Sequence, residues 1–209
     1  MTKCKIGIIN LNINNLFSIE KACLEAGYKV KIIDDKEKKY DYDILLLPGV
    51  GAFSSGIEFL KKHGIDEKIQ NYLHKPKSFL YGICLGMQLL FDSSNEFKTN
   101  KGLKLIEGKV INFTKQNKEK IINIGWSKFN INDNYYKKNF SKFEKNYFYF
   151  IHSFYADPLD KKNILAKSLH GKINFCSITK KKNIFGTQFH PEKSGKSGIE
   201  FLKKIKELI

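Results

Sequence analysis

The sequence predicts an α/β protein: a doubly wound, mostly parallel sheet flanked by helices, with additional mixed or antiparallel strands in the second half. Three observations carry this. A β-branched run, a helical pattern and a second β-branched run open the chain in alternation. The runs "DILLLPG" (43–49) and "SFLYGIC" (78–84) are apolar through their length, as strands buried on both faces are. Beyond them the pattern changes to short strands separated by polar turns, which suits mixed or antiparallel pairing.

In order, "CKIGIIN" (4–10) is the first strand, and Asn14 or Asn15 is placed to cap the helix "LFSIEKACLEAG" (16–27), which ends at Gly27. "YKVKIID" (28–34) is the second strand, and the two apolar runs are the third and fourth. An amphipathic helix follows Cys84. Later strands are "GKVINFT" (108–114), "EKIINIGWSKFN" (119–130), "KNYFYFIHSF" (145–154), "NILAKSL" (163–169), "KINFCSI" (172–178) and "NIFGTQFH" (183–190). A last helix runs from about Ser197 to Leu208. No stretch is poor enough in apolar residues to be a linker, so residues 1–209 are expected to form one domain.

Composition narrows the classes of function. The formal charge is +16, from 37 basic residues against 21 acidic ones, and every basic residue is lysine. The lysines are spread along the whole chain and arginine is absent, which removes the bidentate contacts that arginine makes with guanine and phosphate. Nucleic acid is therefore not the expected partner. Cys4, Cys23, Cys84 and Cys176 are scattered, without the CxxC or Cys/His clustering of a zinc site, which argues against disulfides and a structural metal. Such thiols suit a reducing compartment. With no apolar run of signal-peptide or membrane-span length, the expected location is the cytoplasm, with no membrane partner.

The candidate chemistry begins at "YGICLGMQLL", where Cys84 stands between a buried strand and a helix, with Gly82 and Gly86 on either side. Small neighbours permit the sharp turn that exposes a nucleophile, and the helix N-terminal amides favour negative charge on the sulfur or on a developing oxyanion. A buried structural cysteine in a tight turn is the alternative. Open α/β sheets collect ligands beyond the carboxyl ends of their strands, and His190 follows a strand just as Cys84 does. A histidine beside the thiol takes its proton and returns one to the leaving group, while Glu192, across Pro191, can bend back to hold the far imidazole nitrogen. A strand-capping histidine and a solvated loop glutamate are the plainer reading; two halves of a triad, each at a strand end, favour the first. The stretch Pro48-Gly49-Val50-Gly51 ends another buried strand and can turn its amides toward a substrate carbonyl. Read as a phosphate loop, it lacks the Gly-Lys-Ser/Thr that should follow.

Taken together and in this order, "PGVGAF", "GICLGMQLL", "NIGWSKF", "YFYFIHSFY" and "GTQFHPEKSG" resemble the class I (triad) glutamine amidotransferases, most closely the glutaminase subunits of imidazole glycerol phosphate synthases. The resemblance runs through essentially the whole chain. It implies that Cys84 attacks the carboxamide of glutamine to give a glutamyl thioester, that His190 moves the protons, and that Glu192 orients His190. It further implies an oxyanion hole from the amides of Val50, Gly51 and Leu85. Gly49 and Gln88 would lie near bound glutamine, with the backbone around His152, Ser153 and Phe154 recognising its amino-acid end. Gln88 as an ordinary helix-surface amide and His152 as a packing residue are the alternatives. No cofactor or metal is implied.

The resemblance also implies a partner, a cyclase subunit with a (β/α) eight-stranded barrel fold. The barrel carries ammonia to a phosphorylated formimino nucleotide and forms imidazole glycerol phosphate in histidine biosynthesis. The positions matching Asn12, Trp126, Tyr149 and Lys193 lie at that interface, although Trp126 reads equally well as a core anchor. One residue departs from the pattern: Ser127 stands where asparagine is usual after the glycine-tryptophan pair. This keeps open a related amidotransferase of surface-polysaccharide sugar synthesis. A free-standing Cys-His-Glu hydrolase and a non-catalytic regulatory subunit are the readings from other classes.

Overall fold

In the computed structural model the described residues are 4–12, 16–113 and 122–209. The chain opens with β1 (Lys5–Ile9), α1 (Leu16–Glu25), β2 (Lys29–Ile33) and β3 (Ile44–Gly49), the alternation that the apolar runs predict. Asn14 and Asn15, the expected caps of α1, lie outside the described residues, as do Thr114 and residues 119–121 of two expected strands. Two helices that the strand pattern does not announce come next, α2 (Phe53–Lys62) and α3 (Ile65–Leu73). Each buries one stripe: Phe53, Gly56, Ile57 and Leu60 in α2, and Ile65, Ile69 and Tyr72 in α3, at the spacing of a single helical face. β4 (Leu80–Cys84) then runs directly into α4 (Leu85–Leu89). Instead of the amphipathic helix expected there, α4 is five residues long and buried at every position, because it is wedged against the sheet.

The second half holds β5 (Phe91–Ser94), β6 (Asn100–Lys101), β7 (Ile106–Asn112), β8 (Asn123–Ser127), β9 (Asn130–Ile131) and α5 (Asn134–Phe140). β10 (Phe148–His152), β11 (Phe154–Pro158), β12 (Ile164–His170), β13 (Ile173–Lys181), β14 (Ile184–Thr187) and α6 (Gly195–Ile205) complete it. The long run at 119–130 divides into β8 and β9, and the run at 145–154 breaks at Ser153 between β10 and β11.

Eight strands form the central sheet in the order β2-β1-β3-β4-β14-β13-β12-β9. The first five are parallel and the last three pair antiparallel, as the change of pattern predicts. The carboxyl ends of β3, β4 and β14 therefore share one edge. Register matters here. Gly49 pairs with Cys84, and Thr187 pairs with Ile83, so the next residue, Gln188, falls beside Cys84 on its other side. β8 and β10 form a separate two-stranded sheet, and β11-β7-β5-β6 a four-stranded one.

The central sheet separates two apolar layers. One is rich in phenylalanine: Phe189, fully buried, stacks on Phe129 at 5.6 Å and packs against Phe148 at 4.5 Å. Burying a side chain of this size is worth about 2 to 3 kcal/mol, and here it pins the chain between Gln188 and His190. No helix among the described residues is long and apolar enough to cross a membrane.

Candidate active site

Cys84 ends β4 with φ 53° and ψ −109°, a backbone that side-chain-bearing residues rarely adopt. The neighbouring glycines explain how the turn is possible. A Cβ at Gly86 would lie 1.7 Å from the Leu47 carbonyl oxygen, and one at Gly82 would lie 2.7 Å from the Gly86 backbone. Only glycine lets α4 fold back this tightly. The strand-to-helix elbow read from "GICLG" is thus present.

His190, beyond the end of β14, is buried, and its Nδ1–H donates to Glu192 Oε1 at 2.7 Å. Glu192 is partly buried, with its side chain 8% exposed, in the short turn Pro191–Lys193. Burial by itself would push the His190 pKa down. The charge and proximity of the Cys84 sulfur, together with the hydrogen-bonded carboxylate of Glu192, outweigh it and raise the pKa to about 10. The imidazole Nε2 is close enough to feel the sulfur but closes no hydrogen bond of good geometry among the described residues, slack that is common before a substrate tightens a site. Ser194 clamps the loop: its Oγ donates to the His190 carbonyl at 2.6 Å and accepts the Tyr149 N–H at 3.0 Å. A further bond, His190 N–H to the Tyr149 carbonyl at 2.9 Å, ties the loop to β10.

A cavity of about 330 Å³ opens onto Cys84. Its walls include Val50, Gly51, Leu85, Gln88, His152, Ser153, Phe154 and Lys193, so the structure brings together nearly all residues expected around a bound glutamine. Gly49 is the exception, lying behind the wall, where a Cβ would press on Leu85 at 3.1 Å. Gly51 has φ +98°, the left-handed region that glycine permits. Gln88 is not a surface amide. It is buried, and its Nε2 donates to the Phe154 carbonyl at 2.9 Å and to Gln188 Oε1 at 3.1 Å. His152 is buried too, its Nδ1–H donating to the Phe154 carbonyl at 2.7 Å and its Nε2 accepting from Asn123 Nδ2 at 3.0 Å. Burial lowers its pKa to about 3, so it is a neutral ring that holds the Phe154 backbone in place.

Three further neighbours lie outside the set expected from the sequence. Gln188 donates from Nε2 to the Cys84 sulfur at 3.6 Å. Glu96, from the turn after β5, lines the cavity and accepts the Phe53 N–H at 2.6 Å. Asn123 fixes the His152 tautomer. Spacing from His190 on an alternating strand is the one signal that points to Gln188; the other two arrive by tertiary folding. Trp126 is 54% exposed and packs edge-on against Tyr149 at 5.8 Å, so it is no core anchor. Asn12, with φ 55°, is exposed just beyond β1 and does not line the cavity. Among the described residues no group of three or more His, Cys, Asp or Glu side chains is arranged to hold a metal.

A doubly wound sheet with a cysteine at a strained elbow and a hydrogen-bonded His-Glu pair just beyond the adjacent strand has the form of a cysteine-nucleophile amide hydrolase. The family model of glutamine amidotransferase class-I matches residues 8–206, and the chain belongs to that family. Within it, the chain is similar to proteins named imidazole glycerol phosphate synthase subunit HisH. The one from Caldanaerobacter subterraneus subsp. tengcongensis is 43% identical over 208 residues, covering 98% of each chain. That from Methanocaldococcus jannaschii is 41% identical, covering 98% of this chain and 100% of its own. Among solved structures, PurLQS from Thermotoga maritima aligns with a TM-score of 0.75 at 19% identity over 100% of both chains, which speaks to the fold alone.

Proposed function

We propose that the chain, folded as one amidotransferase domain, is the glutaminase subunit of an imidazole glycerol phosphate synthase in histidine biosynthesis. One observation carries the chemistry: Cys84 stands on its elbow in the wall of a cavity, with the hydrogen-bonded pair His190 and Glu192 beside it. Cys84 attacks the carboxamide carbon of glutamine after giving its proton to His190. His190 passes that proton to the departing nitrogen, which leaves as ammonia, and a glutamyl thioester remains. Water, deprotonated by His190, then attacks the thioester, returning the sulfur and releasing glutamate. Val50, Gly51 and Leu85 are the oxyanion residues, since they wall the cavity beside the sulfur. Glu96 supplies a carboxylate suited to the α-ammonium of glutamine, and the neutral backbone around His152, Ser153 and Phe154 meets its carboxylate end.

Ammonia released here is passed to a partner cyclase subunit with a (β/α) eight-stranded barrel fold. Near neutral pH free ammonia is mostly protonated and no nucleophile, which gives a chemical reason for a dry conduit. Exposed Trp126 and half-buried Tyr149, with Lys193 at the cavity and Asn12 at the same edge of the sheet, form the docking side. The names borne by the HisH relatives support the histidine pathway over polysaccharide sugar synthesis, despite Ser127. Four free thiols suit a cytoplasmic setting.

The test is glutamate release from glutamine by the purified chain with its barrel partner and the phosphorylated formimino nucleotide. Cys84→Ala is the control. Formation of imidazole glycerol phosphate that needs Cys84 is the expected result. Glutamate release without that product assigns the protein to another synthase, and no Cys84-dependent glutamate release rejects the glutaminase reading.

A further inference from the structure

Outside the triad, we infer that Gln188 is a further catalytic residue: its side-chain amide donates a hydrogen bond to the Cys84 sulfur and stabilises the negative charge there. The inference rests on Cys84 being the nucleophile proposed above. Negative charge develops on the sulfur as its proton passes to His190, and it returns when the carbon–sulfur bond breaks and the electron pair goes back to sulfur. A donor fixed at the sulfur therefore serves both halves of the reaction.

The geometry leaves little freedom in the assignment. Gln188 Nε2 lies 3.6 Å from Sγ, and the residue is fully buried. A carbonyl oxygen can only accept, so the Gln88 atom facing the Phe154 carbonyl is its NH2 group. The second hydrogen of that group goes to Gln188 Oε1, which turns Gln188 Nε2 toward the sulfur. This donor is distinct from His190, which faces the same sulfur.

Position follows from the strand. Gly186 and Gln188 alternate onto the face that packs on α4: a Cβ at Gly186 would meet Met87 at 2.7 Å, and Gln188 meets Gln88. Gln188 N–H bonds the Ser177 carbonyl at 2.9 Å, so the backbone that carries the amide is itself held by β13. A fully buried amide costs desolvation free energy unless its partners need it, and here the partners are the sulfur and Gln88.

The experiment is the rate of Cys84 alkylation by iodoacetamide near neutral pH, read on the Cys84-containing peptide by mass spectrometry. Three variants are compared with wild type. Gln188→Met keeps the volume and removes the donor. Gln188→Glu keeps an oxygen for Gln88 and turns an acceptor to the sulfur. Gln188→Asn shortens the amide out of reach. A hydrogen bond to a charged group predicts that Gln188→Met slows alkylation by about 10- to 100-fold, with Gln188→Glu at least as slow. In the glutamine assay kcat falls in step while KM changes little. Alkylation within about twofold of wild type in a variant with its thermal transition retained overturns the proposal and leaves Gln188 a structural residue. Should Gln188→Met not fold, Gln188→Glu and Gln188→Asn decide by the same criterion. The alkylation assay contains no glutamine, so a wild-type protein without glutaminase activity rejects the proposed function and leaves this measurement standing.

Discussion

At the scale of single residues, the site depends on atoms that are absent as much as on those present. Gly86→Ala would drive a methyl group into the Leu47 carbonyl at 1.7 Å, a contact that only a displaced α4 or β3 can relieve. The expected outcome is loss of at least about 3 kcal/mol of stability or no soluble protein at all, measured by urea denaturation beside wild type. Glu192→Gln is the opposite case: it preserves shape and removes charge. With one of its supports gone, the His190 pKa falls from about 10 toward its ordinary value, which an NMR titration of the imidazole reads directly. Glutamate release should drop about tenfold or more in the same variant, since an uncharged amide no longer stabilises the imidazolium.

At the scale of elements, the loop after β14 is fastened to β10 by Ser194. Ser194→Ala removes the acceptor of the Tyr149 N–H and one donor to the His190 carbonyl, which keeps a second donor in the Lys193 N–H at 3.1 Å. A cost of about 1 to 2 kcal/mol is expected, seen as a lower urea midpoint with an unchanged slope. The elements also show what a sequence can disclose. Cys84, His190 and Glu192 are legible because each sits in a local signature, glycines around an elbow or a proline between two ionisable groups, at a strand end. β1 to β4 are legible because strands buried on both faces are unbroken apolar runs. Residues 53–73 are less so, since the stripes of α2 and α3 lie among lysines and glutamates that obscure the period. The length of α4 is set by the sheet edge it meets rather than by its own pattern. Glu96 reaches the cavity only through β5, and Asn123 reaches His152 behind it only through β8; nothing near them in sequence says so. Trp126, a core residue by type, is left exposed because it lies opposite Tyr149 on the face of the β8–β10 pair turned away from the core.

At the scale of the whole molecule, His152 ties stability to pH. Lowered to about 3, it stays neutral in the fold, so below its ordinary value of 6.5 the unfolded chain takes a proton that the native chain refuses. Stability therefore falls as pH drops from about 6.5, with a limb of up to about 1.4 kcal/mol per pH unit, checked by urea midpoints at about pH 5 and 6.5. Equal midpoints at the two pH values would contradict a neutral, buried His152.

The bent backbone at Cys84 has a consequence for the protein as an object of selection. Its φ of 53° is a conformation that glycine adopts freely and cysteine does not. Glycine ordinarily weakens a fold relative to alanine by about 0.5 to 1 kcal/mol, yet here relief of about 1 to 3 kcal/mol of strain should reverse the order. Cys84→Gly should melt higher than Cys84→Ala, read by differential scanning calorimetry. If so, the proposed nucleophile is held against the preference of its own backbone, and drift unconstrained by turnover would lead this position toward a hardier, inert chain.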